Sequence, residues 1–165
     1  MTTGVRGVGV DIVDLGAFAA SLAEPGTRLT RAFSATERRQ CRERAESRGA
    51  VPGEATSSSL AAGPARLDDP LTRHLAARWA AKEAVVKAWS AALYGAPPPI
   101  PPDLLRWAEI ETVCDAWGRP TVRLGGEVAR YVSSTVGEGA RWNVSLSHDG
   151  GSAIAFVILE GPAAG

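Results

Sequence analysis

The stretch from Asp69 to Pro102 constrains this chain more than any other. Asp69-Pro70 reads as a helix start: an aspartate accepts from the orphan N–H groups of the first turn, and proline at the first helical position forfeits no hydrogen bond. Gly95 and the run Ala96-Pro97-Pro98-Pro99-Ile100-Pro101-Pro102 end the helix and make a stiff connector. The spacing predicts one long helix over about 70–93, against which the rest of the chain must pack. At about 100° per residue with Leu75 at zero, Leu71, Trp79, Val86, Trp89 and Leu93 fall within about 40° of it, an apolar stripe that reads as the core face. Lys82 lies inside that stripe and Glu83 at its edge, with Lys87 one turn beyond Glu83 on the same flank. A lysine there either snorkels to solvent or holds a positive charge in a cleft beside an acidic group. Glu83 and Lys87 are either a surface pair or part of that cleft. The spacing leaves both readings open.

Elsewhere short elements alternate. Residues 5–13, VRGVGVDIV, read as a strand reaching Asp11, and Asp14 suits the N-cap of a short helix, LGAFAASLA, that Pro25-Gly26 stops. Ser34 followed by Glu37 is a capping-box spacing and opens a second helix to about Glu46. Residues 47–68 are rich in Gly, Ser, Pro and Ala without periodicity and read as a flexible insertion. After the proline run come strands near 107–114 and 119–124, with Trp117-Gly118 as their turn. A helix near 126–136 follows, then strands near 141–147 and 153–159 joined by Asp149-Gly150-Gly151, a hairpin signal. The expected fold is a single α+β domain over 1–165, an antiparallel sheet packed against the long helix.

Composition narrows the function classes. The chain of 165 residues has zero formal net charge, which argues against general nucleic-acid binding. No apolar run approaches the ~20 residues of a membrane span, and the N-terminus does not read as a signal peptide. Two cysteines are too few for a disulfide framework, so a reducing, cytoplasmic setting is expected. Only two lysines occur among 18 basic residues, both within Lys82–Lys87. A compact ammonium and a guanidinium are not interchangeable beside a phosphate or in a buried setting, which points to this helix. From Arg28 to Arg48 seven arginines face three glutamates, either a solvated helix face or a surface that steers an acidic partner.

Three blocks in order then resemble the holo-acyl-carrier-protein synthase family of 4′-phosphopantetheinyl transferases. They are Gly7-Val8-Gly9-Val10-Asp11-Ile12-Val13, then Arg78-Trp79-Ala80-Ala81-Lys82-Glu83-Ala84-Val85-Val86-Lys87-Ala88, then Val144-Ser145-Leu146-Ser147-His148. The middle block is the specific one. The resemblance implies transfer of the 4′-phosphopantetheine arm of coenzyme A to a carrier-protein serine, with adenosine 3′,5′-bisphosphate released. It implies Mg²⁺ held by Asp11 and Glu83, a hard cation suited to carboxylate and phosphate oxygens. It implies coenzyme A contacts from Arg78, Lys82, Lys87, Ser147 and His148, with Glu83 as the candidate proton acceptor and Lys87 as a less favoured one. It also implies an acidic carrier protein, for which Arg31, Arg38, Arg39 and Arg42 are the expected docking residues, and a homotrimer with sites between subunits. A non-catalytic coenzyme-A-binding or carrier-docking module of the same fold is the alternative. The chain departs from the family in its 47–68 insertion and in the proline run, which stands where relatives have a glycine-rich turn near the nucleotide. Which carrier is served, from fatty-acid, polyketide or nonribosomal synthesis, is open.

Overall fold

Valine-rich alternation makes the first strand, and hairpin chemistry near the C-terminus supplies its partners. The structure, a computed structural model, describes residues 3–49 and 69–162. Strand β1 (Thr3–Asp14) pairs antiparallel with β5 (Ser152–Pro162), which pairs antiparallel with β4 (Arg141–Asp149), giving the order β1-β5-β4. Strands β2 (Ile110–Cys114) and β3 (Pro120–Leu124) form a separate two-stranded antiparallel sheet. The helices are α1 (Leu15–Ala23), α2 (Ala35–Gly49), α3 (Pro70–Ala92) and α4 (Gly126–Thr135). The α+β class holds, with the strands divided between two sheets. A 3-10 turn at Leu29–Ala32 was not expected, and the first residues of the 107–114 segment are a second one, Trp107–Glu109.

The caps form as their chemistry requires. Asp14 accepts from the Ala17 N–H at 2.7 Å, and Asp69 accepts from the Leu71 and Thr72 N–H groups with Pro70 in the first turn. Ser34 Oγ accepts from the Glu37 N–H at 3.1 Å while the Glu37 carboxylate accepts from the Ser34 N–H at 2.9 Å, a reciprocal box. Helix α2 runs on to Gly49, so positions 47–49 of the expected insertion are helical, and 50–68 lie outside the described residues.

The core face of α3 differs from the stripe expected. Of Leu71, Leu75, Trp79, Val86, Trp89 and Leu93, only Trp89 is fully buried; the others are half-buried. The buried wall is small: Ala76, Ala77, Ala80, Ala81, Ala84 and Ala88, with Val85. With Leu75 at zero, Ala80, Ala84 and Ala88 fall at about 140°, 180° and 220°, opposite the stripe. Strand β1 explains the inversion. A methyl on Gly9 would overlap the Ala84 carbonyl oxygen, and one on Gly7 the Ala88 carbonyl oxygen. Glycine on the strand and alanine on the helix let backbone meet backbone, so the least bulky face of α3 is the one that packs.

Candidate active site

That close approach sets the register of the chemistry. The helix advances about 6 Å over four residues and the strand about 6.7 Å over two, so the contacts Gly7–Ala88 and Gly9–Ala84 step along together. One pleat further, Asp11 lies on the same face of β1, abreast of the turn of α3 that carries Glu83. Lys87 reaches back, its ammonium donating to Asp11 Oδ1 at 2.8 Å and to the Val10 carbonyl at 3.1 Å. About half of the Lys87 side chain stays exposed (52%) against 17% for Asp11. Asp11 and Glu83 line one open groove of about 620 Å³, whose apolar side is Phe18, Leu29 and Trp79. Burial, and then the charge on Asp11, push the Glu83 carboxyl above its ordinary range, while Lys87 pulls the other way. Two carboxylates facing one groove form a hard-oxygen donor set fit for a small divalent cation.

Lys82 is placed otherwise than expected. It neither snorkels nor faces the groove. Its ammonium is fully buried and donates to Glu37 Oε2 at 2.8 Å, to the Trp107 carbonyl at 3.0 Å and to the Ile110 carbonyl. Three acceptors use its three protons, leaving none for a coenzyme A phosphate. Burial lowers its proton affinity and Glu37 works against that shift. Glu37 Oε1 also accepts from the Thr112 N–H at 2.9 Å, so one carboxylate ties the start of α2, the middle of α3 and β2 together. The capping box marked Glu37, but its second role had no local signal. The Lys82 ammonium lies 5.5 Å from the Phe33 ring centre, and Trp107 packs on Trp79 at 5.0 Å, so this knot backs the groove wall.

Arg78 and His148 come together in a second, smaller groove of about 240 Å³, with His74, Arg44, Gly118 and Pro120. Arg78 is 2% exposed; its guanidinium donates to the His74 carbonyl at 3.4 Å and lies 3.6 Å from Cys114 Sγ. The rings of His74 and His148 sit edge to face at 6.5 Å. His74, one polar residue on a long helix, and Arg44, one arginine among many on its own, had no signal in the sequence to single them out. Ser147 precedes His148 on β4 and is exposed on the opposite, open face of the sheet. Thus Asp11, Glu83 and Lys87 are assembled in one place and Arg78 with His148 in another.

Among the docking arginines, Arg38 donates to the Thr30 and Phe33 carbonyls and so clamps the 3-10 turn. Arg39 makes an exposed pair with Glu43 at 3.7 Å, and Arg31 and Arg42 are exposed. No cluster of three metal-binding side chains occurs among the described residues, and no described helix is long and apolar enough to cross a membrane.

The sequence profile described as the 4′-phosphopantetheinyl transferase superfamily matches residues 7–157, which takes in all three blocks and both grooves. The chain belongs to this family. Within it, the chain is 41% identical over 152 residues to the holo-[acyl-carrier-protein] synthase of Corynebacterium glutamicum, covering 92% of this chain and 96% of that protein. It is 41% identical over 159 residues to the synthase of Mycobacterium tuberculosis H37Rv, covering 96% and 99%. Among solved structures, the ACPS–CoA complex of Chronobacterium ammoniagenes superposes with a TM-score of 0.77 at 37% identity, over 99% of this chain and 100% of that one. The 4′-phosphopantetheinyl transferase relatives span this chain almost end to end.

Proposed function

We infer that the chain is a holo-acyl-carrier-protein synthase that transfers 4′-phosphopantetheine from coenzyme A to a serine of an apo acyl carrier protein. The observation that carries this reading is the Asp11–Glu83–Lys87 cluster where β1 crosses α3, inside a chain that aligns along nearly its whole length with named synthases. In the reaction the carrier serine Oγ attacks the phosphorus nearest the pantetheine. A new P–O bond forms and the pyrophosphate bond to the other phosphorus breaks, releasing adenosine 3′,5′-bisphosphate. The serine proton passes to Glu83, a carboxylate on the groove wall whose environment favours its protonated form. Lys87 is held as the ion-pair partner of Asp11, which suits it to charge stabilisation at the phosphoryl group rather than to proton abstraction. Mg²⁺ would be held by Asp11 and Glu83 and would neutralise charge on the pyrophosphate oxygens. Arg78 and His148 would hold other phosphates of coenzyme A.

Separation of the two grooves on one chain supports a site shared between copies, one supplying the carboxylates and the next Arg78 and His148. The open face of the β1-β5-β4 sheet supports the same reading: Val8, Val10, Ile12 and Phe156 are exposed there side by side, an apolar surface suited to further copies in a homotrimer. We place the enzyme in the cytoplasm as one catalytic domain, with exposed Arg31, Arg39 and Arg42 towards an acidic carrier.

Intact-mass spectrometry of apo carrier proteins of fatty-acid and polyketide type, incubated with the enzyme, coenzyme A and Mg²⁺, tests this. The phosphopantetheine mass should appear, and should be lost with chelator and with Glu83→Gln. No gain on any carrier while coenzyme A still bound would mean a binding module instead.

A further inference from the structure

The two cysteines of this chain lie in opposite settings. Cys41, on α2, is fully buried, and desolvation pushes its thiol up to about 11. A thiol so placed is neither reachable nor ionised at neutral pH, and is inert. Cys114, the last residue of β2, is half-buried and lines the smaller groove. Its backbone is held by the Gln40 side chain, which accepts from the Cys114 N–H and donates to the Cys114 carbonyl, both at 3.0 Å. The sulfur is therefore presented to the groove from a fixed strand end.

The charge around that sulfur has one sign. Arg78 Nη2 lies 3.6 Å from Cys114 Sγ, and Arg44 shares the groove wall. No aspartate or glutamate among the described residues lines that wall. Asp115, next in the chain, spends its carboxylate on the Trp117 and Arg119 N–H groups and on Arg119 Nε at 2.6 Å. Arg78 is 2% exposed, and its Nε has no hydrogen-bond partner. A buried cationic donor beside the sulfur is thus left for an acceptor from outside. The thiolate is the attacking species in disulfide exchange, and an electropositive, partly exposed setting is where cysteines react.

We propose that Cys114 is a site of reversible S-thiolation by a small anionic disulfide, and that the adduct closes the groove over Arg78. Cys114 Sγ gives up its proton and attacks one sulfur of the disulfide, forming a new S–S bond to half of that molecule. The original S–S bond breaks, and the other half leaves as a thiolate that takes up the proton. The disulfide is the oxidant: Cys114 is oxidised and the departing half reduced. Carboxylates of the bound half meet the guanidinium groups of Arg78 and Arg44. Cys41, buried and protonated, does not resolve the adduct, which persists until an external thiol removes it. The modification stands on the groove alone. Its effect on turnover rests on the reading of the chain as a coenzyme-A-dependent transferase, in which Arg78 holds a phosphate.

Incubation of the full chain with glutathione disulfide, followed by intact-mass spectrometry and peptide mapping, tests the proposal. A single glutathione should appear on the Cys114 peptide, should be absent from Cys114→Ser and should persist in Cys41→Ala. Cystamine, a dicationic disulfide, should react about tenfold or more slowly at low ionic strength, relative to its rate with the urea-unfolded chain, and salt should narrow the gap. The modified chain should lose most of its transferase activity and regain it with dithiothreitol, while Cys114→Ser stays active throughout. Label on Cys41, a bond between the two cysteines, no label on the folded chain, or equal relative rates for the two disulfides would overturn the site. Full turnover by the labelled chain would overturn the closing of the groove. A parent inactive on every carrier would overturn the transferase reading and not the site, which the labelling decides.

Discussion

Both lysines of this chain sit where an ammonium does what a guanidinium could not. Lys82 spends its three protons on Glu37 and two carbonyls at full burial, three acceptors gathered round one compact charge. Removing it leaves the Glu37 carboxylate buried and unpaired, so Lys82→Met should cost about 3–5 kcal/mol in urea unfolding. Adding Glu37→Gln, which removes the orphan charge and keeps one oxygen to accept from either the Ser34 or the Thr112 N–H, should recover part of that loss. A single variant as stable as the parent would show that the pair contributes nothing net. Glu83 behaves oppositely. Its native proton affinity is raised, so without divalent ions the parent loses stability as pH climbs from the ordinary value of 4.5 through the raised one. Glu83→Gln should therefore unfold at higher temperature than the parent at neutral pH in chelator, with the advantage fading below about pH 4.5. Mg²⁺ should raise the melting point of the parent and not that of the variant. Equal shifts in both would move the cation elsewhere.

At the scale of elements, the contact of β1 with α3 is the decisive one. Gly7 and Gly9 place the strand backbone directly on the Ala84 and Ala88 carbonyls, and this register carries Asp11 to Lys87. Neither backbone can give way as a flexible side chain could. Gly9→Ala should accordingly cost about 3 kcal/mol or more, and should depress activity beyond its effect on stability because it pushes Asp11 away from Glu83. Circular dichroism melts read the first effect; turnover at a temperature where the variant is fully folded reads the second. Gly126 has a related constraint at the start of α4: its φ is 53°, and the Glu109 carboxylate, which accepts from the Val128 N–H at 3.0 Å, fills the space a Cβ would need.

For the whole molecule, the open face of the three-stranded sheet is the feature a lone chain does not account for. Val10 and Phe156 are cross-strand neighbours there, both more than two-fifths exposed. A charge at the centre of such a face is incompatible with burial against another copy. Phe156→Glu should yield a monomer by light scattering, with unchanged circular dichroism and transferase activity lowered more than about tenfold. A variant that remained oligomeric, or a monomer with full activity, would remove the shared site from the reading.

What the sequence determined by itself was local: caps at Asp14, Ser34 and Asp69, the strand alternation, the hairpin turns and the three blocks that carry the family. Each of these rests on interactions within a few residues, which composition and spacing express directly. The tertiary structure decided which face of α3 is buried, because alanines are weak in any hydrophobicity pattern and gain their meaning only from the glycines of a distant strand. It also decided that Lys82 turns inward to Glu37, 45 positions away in the chain, while Lys87 turns to Asp11. A charge's role depends on the dielectric and the partners around it, and those are assembled only when the strand and the helix meet.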